Sequence, residues 1–138
     1  MRLIAWLLAA TVLPAMAQSV PQPPAEQALT GLLKAIDAKV LRRHTEVLAA
    51  FGTRHTASET QSETRGIGAA RRFIEREWRR CAAGTPLQIS TMAHTEPAGR
   101  RIAAPTEIVN IVATLPGRDP KRFIVVSGHY DSRNADVM

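Results

Sequence analysis

Arg122-Phe123-Ile124-Val125-Val126-Ser127-Gly128-His129-Tyr130-Asp131-Ser132 is the stretch on which the reading of this chain turns. Four consecutive apolar residues at 123–126, three of them β-branched, are the pattern of a strand covered on both faces, and such strands belong to sheets with helices on either side. Side chains two apart in extended backbone leave on the same side, so His129 and Asp131 are expected to emerge together at the C-terminal end of that strand. In open α/β sheets this is the edge at which ligands bind.

Outward from there, Glu107 to Leu115 carries the run Ile108-Val109-Asn110-Ile111-Val112 and reads as a second strand. Only Pro116 to Lys121 separate it from Arg122. That Pro-Gly and Asp-Pro turn is too short for the crossover that parallel neighbours require, so these two strands are expected to be antiparallel neighbours. Leu87 to His94 alternates loosely and reads as another strand. Before Pro86 the period becomes helical: Ile67, Ala70, Ile74, Trp78 and Cys81 recur at spacings of three and four, Thr64 is placed to cap the helix, and Gly84 and Pro86 stop it. Its other faces carry Arg65, Arg71, Arg72, Arg76, Arg79 and Arg80 with Glu75 and Glu77 interleaved, the composition of a solvated face. Ala28 to Phe51 shows a further apolar stripe at helical spacing, ended by Gly52, with Asp37 placed to divide it into two helices. The expected fold class is therefore α/β, a mixed β-sheet flanked by helices, present in this chain as its N-terminal part, because a doubly covered strand needs more helices than these.

The N-terminus is an address. Met1-Arg2, the apolar run Leu3 to Leu13 and the A-x-A site Ala15-Met16-Ala17 have the layout of a secretory signal cut after Ala17. The run is shorter than the roughly 20 residues of a spanning helix, so no stable membrane anchor is expected after cleavage. Export, to a periplasm or the medium, follows. Residues 18–27, with Pro21, Pro23 and Pro24, read as an extended leader, and 28–138 as the folded part.

Composition narrows the chemistry. The 138 residues are 45% apolar and 22% charged, a globular composition, and the single cysteine, Cys81, excludes an intramolecular disulfide framework and reads as a small buried apolar group. A net charge of +6 is compatible with polyanions, but aromatics at 4% leave few platforms for base stacking, and nucleic acid is not an expected partner. The absence of G-x-S-x-G argues against a serine hydrolase. His44, His55 and His94 read as surface or hydrogen-bonded residues. The H-x-D pair has two readings. A carboxylate beside an imidazole fixes its tautomer, the arrangement found behind many zinc-bound histidines, which makes His129 a metal ligand and Asp131 the residue that orients it, with Gly128 leaving room for close backbone approach. Standing by itself, the same pair is more often an ordinary hydrogen-bonded His and Asp at a strand end.

Four segments in order favour the first reading: Phe51-Gly52-Thr53-Arg54-His55-Thr56, Gly66-Ile67-Gly68-Ala69-Ala70-Arg71-Arg72-Phe73-Ile74, Ile108-Val109-Asn110-Ile111-Val112-Ala113-Thr114-Leu115-Pro116-Gly117, and Val125-Val126-Ser127-Gly128-His129-Tyr130-Asp131-Ser132. Together they resemble the opening of the M28 family of zinc aminopeptidases. The resemblance implies a zinc exopeptidase-like fold and a metallopeptidase that uses two zinc ions to hydrolyse peptide substrates next to a free N-terminus. It implies His129 as the first zinc ligand, supported by Asp131. The family's remaining acidic ligands, its catalytic Glu and its second ligand His come later than Met138, so no catalytic residue is expected in this chain, which reads as an N-terminal fragment inactive by itself. Glutaminyl cyclases share the fold and a similar H-Y-D-S segment and form one alternative. A non-catalytic envelope-binding module, using the Arg-rich helix, forms the other.

Overall fold

The computed structural model describes residues 24–100 and 102–133. The signal segment at 1–17 and the leader up to residue 23 lie outside the described residues. The chain divides into two compact units, Met1–Asp37 and Ala38–Met138.

In the first unit, α1 spans Pro24–Lys34. It begins within the stretch read as leader, because a proline in the first helical turn gives up no hydrogen bond and its fixed φ suits the helix. The amide of Ala35 closes on the carbonyls of Gly31 and Leu32, and regular structure then stops before Asp37. The interruption expected near Asp37 is present.

In the second unit, α2 spans Ala38–Ala50, α3 spans Gly66–Ala82, β1 spans Gln88–Glu96 and β2 spans Thr106–Thr114. Gly52, at φ +70°, ends α2, and Gly84, at φ +73°, turns the chain out of α3 as its position predicts. The strands pair antiparallel in a register running from Gln88 opposite Thr114 to Glu96 opposite Thr106. Gly99 and Ile102 exchange backbone hydrogen bonds in the connection. Helix α3 packs on both strands, and the core is Ile67, Ala69, Ala70 and Phe73 with Val109 from β2. Phe73 meets the rings of His44 and Phe51 edge-on, at centroid distances of 5.7 and 6.0 Å, which joins α2 and the following loop to the same core.

Three expectations are corrected. The first is the cap of α3. Arg65 takes the N-cap position with extended backbone and no side-chain bond, so Thr64 is not the cap. The loop supplies the acceptors instead: Ser58 Oγ accepts the Ile67 amide at 3.0 Å, the Glu59 carbonyl accepts Gly68, and the Phe51 carbonyl accepts Gly66. The second is the apolar stripe, which is buried only in the first half of α3. Trp78 and Cys81 are exposed, because the loop and hairpin cover the N-terminal turns and nothing described covers the last ones.

The third correction concerns Phe123 to Val126. This stretch is neither a strand nor a neighbour of β2 among the described residues: it has no regular structure, and its four side chains are 83–96% exposed. Described ladder pairing of β2 is to β1, and the chain after Pro116 turns on Asp119, whose side chain accepts the Lys121 amide and whose carbonyl accepts that of Arg122. Among the described residues the α/β class stands as three helices and a two-stranded antiparallel sheet.

Candidate metal-ligand site

The glycines of Gly66-Ile67-Gly68 let the loop close over the start of α3. A side chain at Gly68 would overlap the backbone of Thr60, and one at Gly66 would overlap the Glu59 carbonyl, at a φ of +75° that only glycine adopts freely. Glu59 helps hold the loop in that shape. Its carboxylate accepts the amides of Gln61 and Ser62, and those hydrogen bonds hold its pKa below the ordinary value. Arg72 reaches back from α3 to the carbonyls of Thr60 and Ser62. The loop is thereby fixed against the helix, and with it the segment 51–56 that approaches the H-Y-D-S motif.

Arg54 makes that approach. Its backbone bridges Ser132 in both directions: the Arg54 amide donates to Ser132 Oγ at 2.8 Å and the Ser132 amide to the Arg54 carbonyl at 3.1 Å. Its guanidinium donates from Nε to the Tyr130 carbonyl at 3.0 Å and from Nη1 to the Leu48 carbonyl in the last turn of α2. From the other side, the Tyr130 hydroxyl donates to the Val109 carbonyl on β2 at 2.7 Å. Residues 130–132 are therefore tied to the body on both flanks, although they belong to no strand.

His129 and Asp131 come together as their spacing predicts. His129 Nδ1 lies 3.0 Å from Asp131 Oδ1. An ionised carboxylate only accepts, so this contact assigns the proton to Nδ1 and leaves the Nε2 lone pair free. The His129 side chain is 95% exposed and that of Asp131 39%. Both line a groove of about 270 Å³, together with Ile67 and Arg71 of α3, Glu107 and Asn110 of β2, Thr56 and Tyr130. A Cβ at Gly128 would meet nothing within 4 Å among the described residues.

Zinc is the metal against which this arrangement has to be tested. One exposed imidazole whose Nδ1 faces a carboxylate fits one zinc ligand. It does not make a site, because a catalytic zinc takes three protein ligands, and no group of three His, Cys, Asp or Glu that could hold a metal occurs among the described residues. The other histidines behave as their sequence contexts predict. His44 Nε2 lies 3.5 Å from Glu77, His55 Nδ1 accepts the Ala57 amide, and His94 stands opposite Ile108 in the hairpin. Nor does α3 present an uncompensated basic stripe. Each of its five arginines has a carboxylate within 4 Å: Arg71 with Glu107, Arg72 and Arg76 with Glu63, Arg79 with Glu75, and Arg80 with Glu77.

Residue reasoning left the role of Arg54 open and gave none to the Tyr130 hydroxyl or to Ser58. The available signal was the placement of Arg54 in a Gly-Thr-Arg-His-Thr loop, but its partners lie 76 and 78 residues away, beyond any local pattern.

Known proteins align with most of this chain. It is 45% identical over 113 residues to a protein of Pyricularia oryzae, 40% identical over 120 residues to one of Leptosphaeria maculans, and 41% identical over 123 residues to one of Pyrenophora teres f. teres. Each of these is named "Probable zinc metalloprotease". The alignments cover 80%, 85% and 86% of this chain, but the chain spans only 22%, 28% and 25% of those relatives. No family model matches, and no solved structure matches.

Proposed function

We propose that this chain is the N-terminal part of an exported zinc-dependent aminopeptidase of the M28 type, in which His129 is a zinc ligand and Asp131 orients it. The observation that carries this reading is the His129–Asp131 contact, which engages Nδ1 of an exposed imidazole in a segment anchored on both flanks. The similarity to proteins named as zinc metalloproteases supports zinc and proteolysis, and the order of the four motif segments supports the M28 type. Residues 1–17 support export. The remaining ligands, enough for two ions, are assigned to sequence beyond this chain, consistent with the quarter of the relatives' length that it spans.

Zinc, when bound, supplies Lewis-acid activation of water and of the peptide carbonyl. The chain's own contribution is positional. Asp131 accepts a hydrogen bond from Nδ1–H and so holds the imidazole in the tautomer that can ligate through Nε2. Tyr130 and Ser132 hold the backbone on either side of Asp131, and the zinc exopeptidase-like fold would cover the apolar run at 123–126 with its later elements.

The test is hydrolysis of a short peptide with a free N-terminus by the complete gene product, with and without a zinc chelator, beside the same peptide N-acetylated. Chelator-sensitive release of the first residue, abolished by acetylation, is expected. Equal cleavage of the acetylated peptide would reject the aminopeptidase assignment, and activity indifferent to the chelator would reject zinc. Cyclisation of an N-terminal glutamine in place of hydrolysis would move the assignment to the glutaminyl cyclase alternative.

A further inference from the structure

Residues 128–133 carry the proposed ligand, yet they have neither helix nor strand to hold them. Their direction depends on individual hydrogen bonds. Three of these come from one residue: both backbone groups of Arg54 engage Ser132, and its Nε engages the Tyr130 carbonyl. The same guanidinium also bonds the Leu48 carbonyl, so a single planar group spans the end of α2 and the loop that bears His129. Arg54 is itself held by the segment 51–59, which closes onto the buried start of α3 through Ser58.

We propose that Arg54 is a positioning residue for the proposed ligand His129: its guanidinium clamps the Tyr130 carbonyl to the Leu48 carbonyl, and this clamp sets the direction in which His129 and Asp131 leave the body. The inference rests on the reading of His129 as a zinc ligand. Two carbonyls on separate elements are neutral acceptors, so the charge of Arg54 is not there to form an ion pair with either. What the site uses is the fork, two N–H groups in one rigid plane that fix the angle between two acceptors. A lysine has one ammonium on a flexible stem and holds one carbonyl well or both poorly. Loss of the clamp leaves the Tyr130 hydroxyl and the Arg54 backbone bridge, so the loop stays attached while its angle is no longer set. A zinc ligand needs that angle. Groups that orient metal ligands from behind change metal affinity roughly 10- to 100-fold when removed.

The experiment measures zinc dissociation constants by chelator competition on the complete gene product, together with amide hydrogen exchange at 128–132 and within α3. The variants are Arg54→Gln, Arg54→Lys and His129→Ala. Zinc affinity is expected to fall roughly 10- to 100-fold in Arg54→Gln and to recover in part in Arg54→Lys. Exchange is expected to accelerate at 128–132 and not in α3. If His129→Ala lowers zinc affinity while Arg54→Gln leaves it within about twofold, well short of an orienting effect, the clamp is overturned and the ligand reading stands. If His129→Ala itself leaves zinc affinity unchanged, the ligand reading fails. Should Arg54→Gln lose α3 protection as well, Arg54→Lys decides: affinity equal to the parent, with slow exchange in α3, would leave no orienting role for the fork.

Discussion

Two glycine-bearing segments of this molecule stand in opposite situations. Gly66-Ile67-Gly68 opens α3 beneath a loop that lies so close that neither glycine has room for a Cβ, and the residues around it are the best buried in the described structure. Ser127-Gly128-His129 has open space around its glycine and follows four apolar side chains that face solvent. The first segment is finished: its amides have acceptors and its apolar faces have neighbours. The second is held at a few points by Arg54, Tyr130 and Ser132 and is otherwise uncovered. Packing therefore determines the shape of one, and individual hydrogen bonds determine the shape of the other.

If that contrast is correct, the effects of substitution should divide in the same way. Phe73→Ala removes the ring that joins α2, the loop and α3, and should cost about 3–5 kcal/mol in a urea unfolding series. Gly68→Ala forces a methyl group into the Thr60 backbone, which has no flexible side chain to yield. A loss of about 1–3 kcal/mol or more is expected, and an unchanged denaturation midpoint would mean that the loop is not packed on α3 as described. Ser58→Ala deprives the Ile67 amide of its acceptor at a buried helix start and should cost about 1–2 kcal/mol, whereas Thr64→Ala should have little effect.

A smaller effect belongs to Glu59. Its folded-state pKa lies below the ordinary carboxylate value, so its contribution is complete above that value and is lost as pH falls through the lowered one. Glu59→Gln keeps an acceptor for the Gln61 and Ser62 amides but does not titrate, so the acid-unfolding curve should lose part of its slope in that range. A slope unaltered by the substitution would show that the loop bonds do not distinguish the two charge states. Least of all should follow from Gly128→Ala, expected to fall within about 0.5 kcal/mol of the parent. A large loss there would mean that the open space around Gly128 is filled in the working protein.

The readable parts of the sequence share a physical property, which is that their signals are local. Helical spacing in α1, α2 and α3, Gly52 and Gly84 as stops, and the β-branched run of β2 each depend on neighbours within a few positions, and each became the expected element. The i,i+2 geometry of His129 and Asp131 is local too, and the two side chains do meet. Phe123 to Val126 has as strong a strand pattern as any in the chain, yet it forms no strand among the described residues. A strand is completed by a partner, and β2 pairs with β1 while Tyr130, not the apolar run, bonds the Val109 carbonyl. For the same reason Thr64, the nearest capping side chain, yielded to Ser58 in the overlying loop.

Patterns local to the chain are enough for the helices, for β1 and β2 as strands and for the meeting of His129 with Asp131, because each depends on backbone periodicity or on residues two to four apart. Contacts made on folding set which turns of α3 are buried, how its N-terminus is capped, and that Arg54 holds the segment bearing His129. These depend on groups that the chain brings together across long separations, and no local pattern encodes the distance or angle at which they meet.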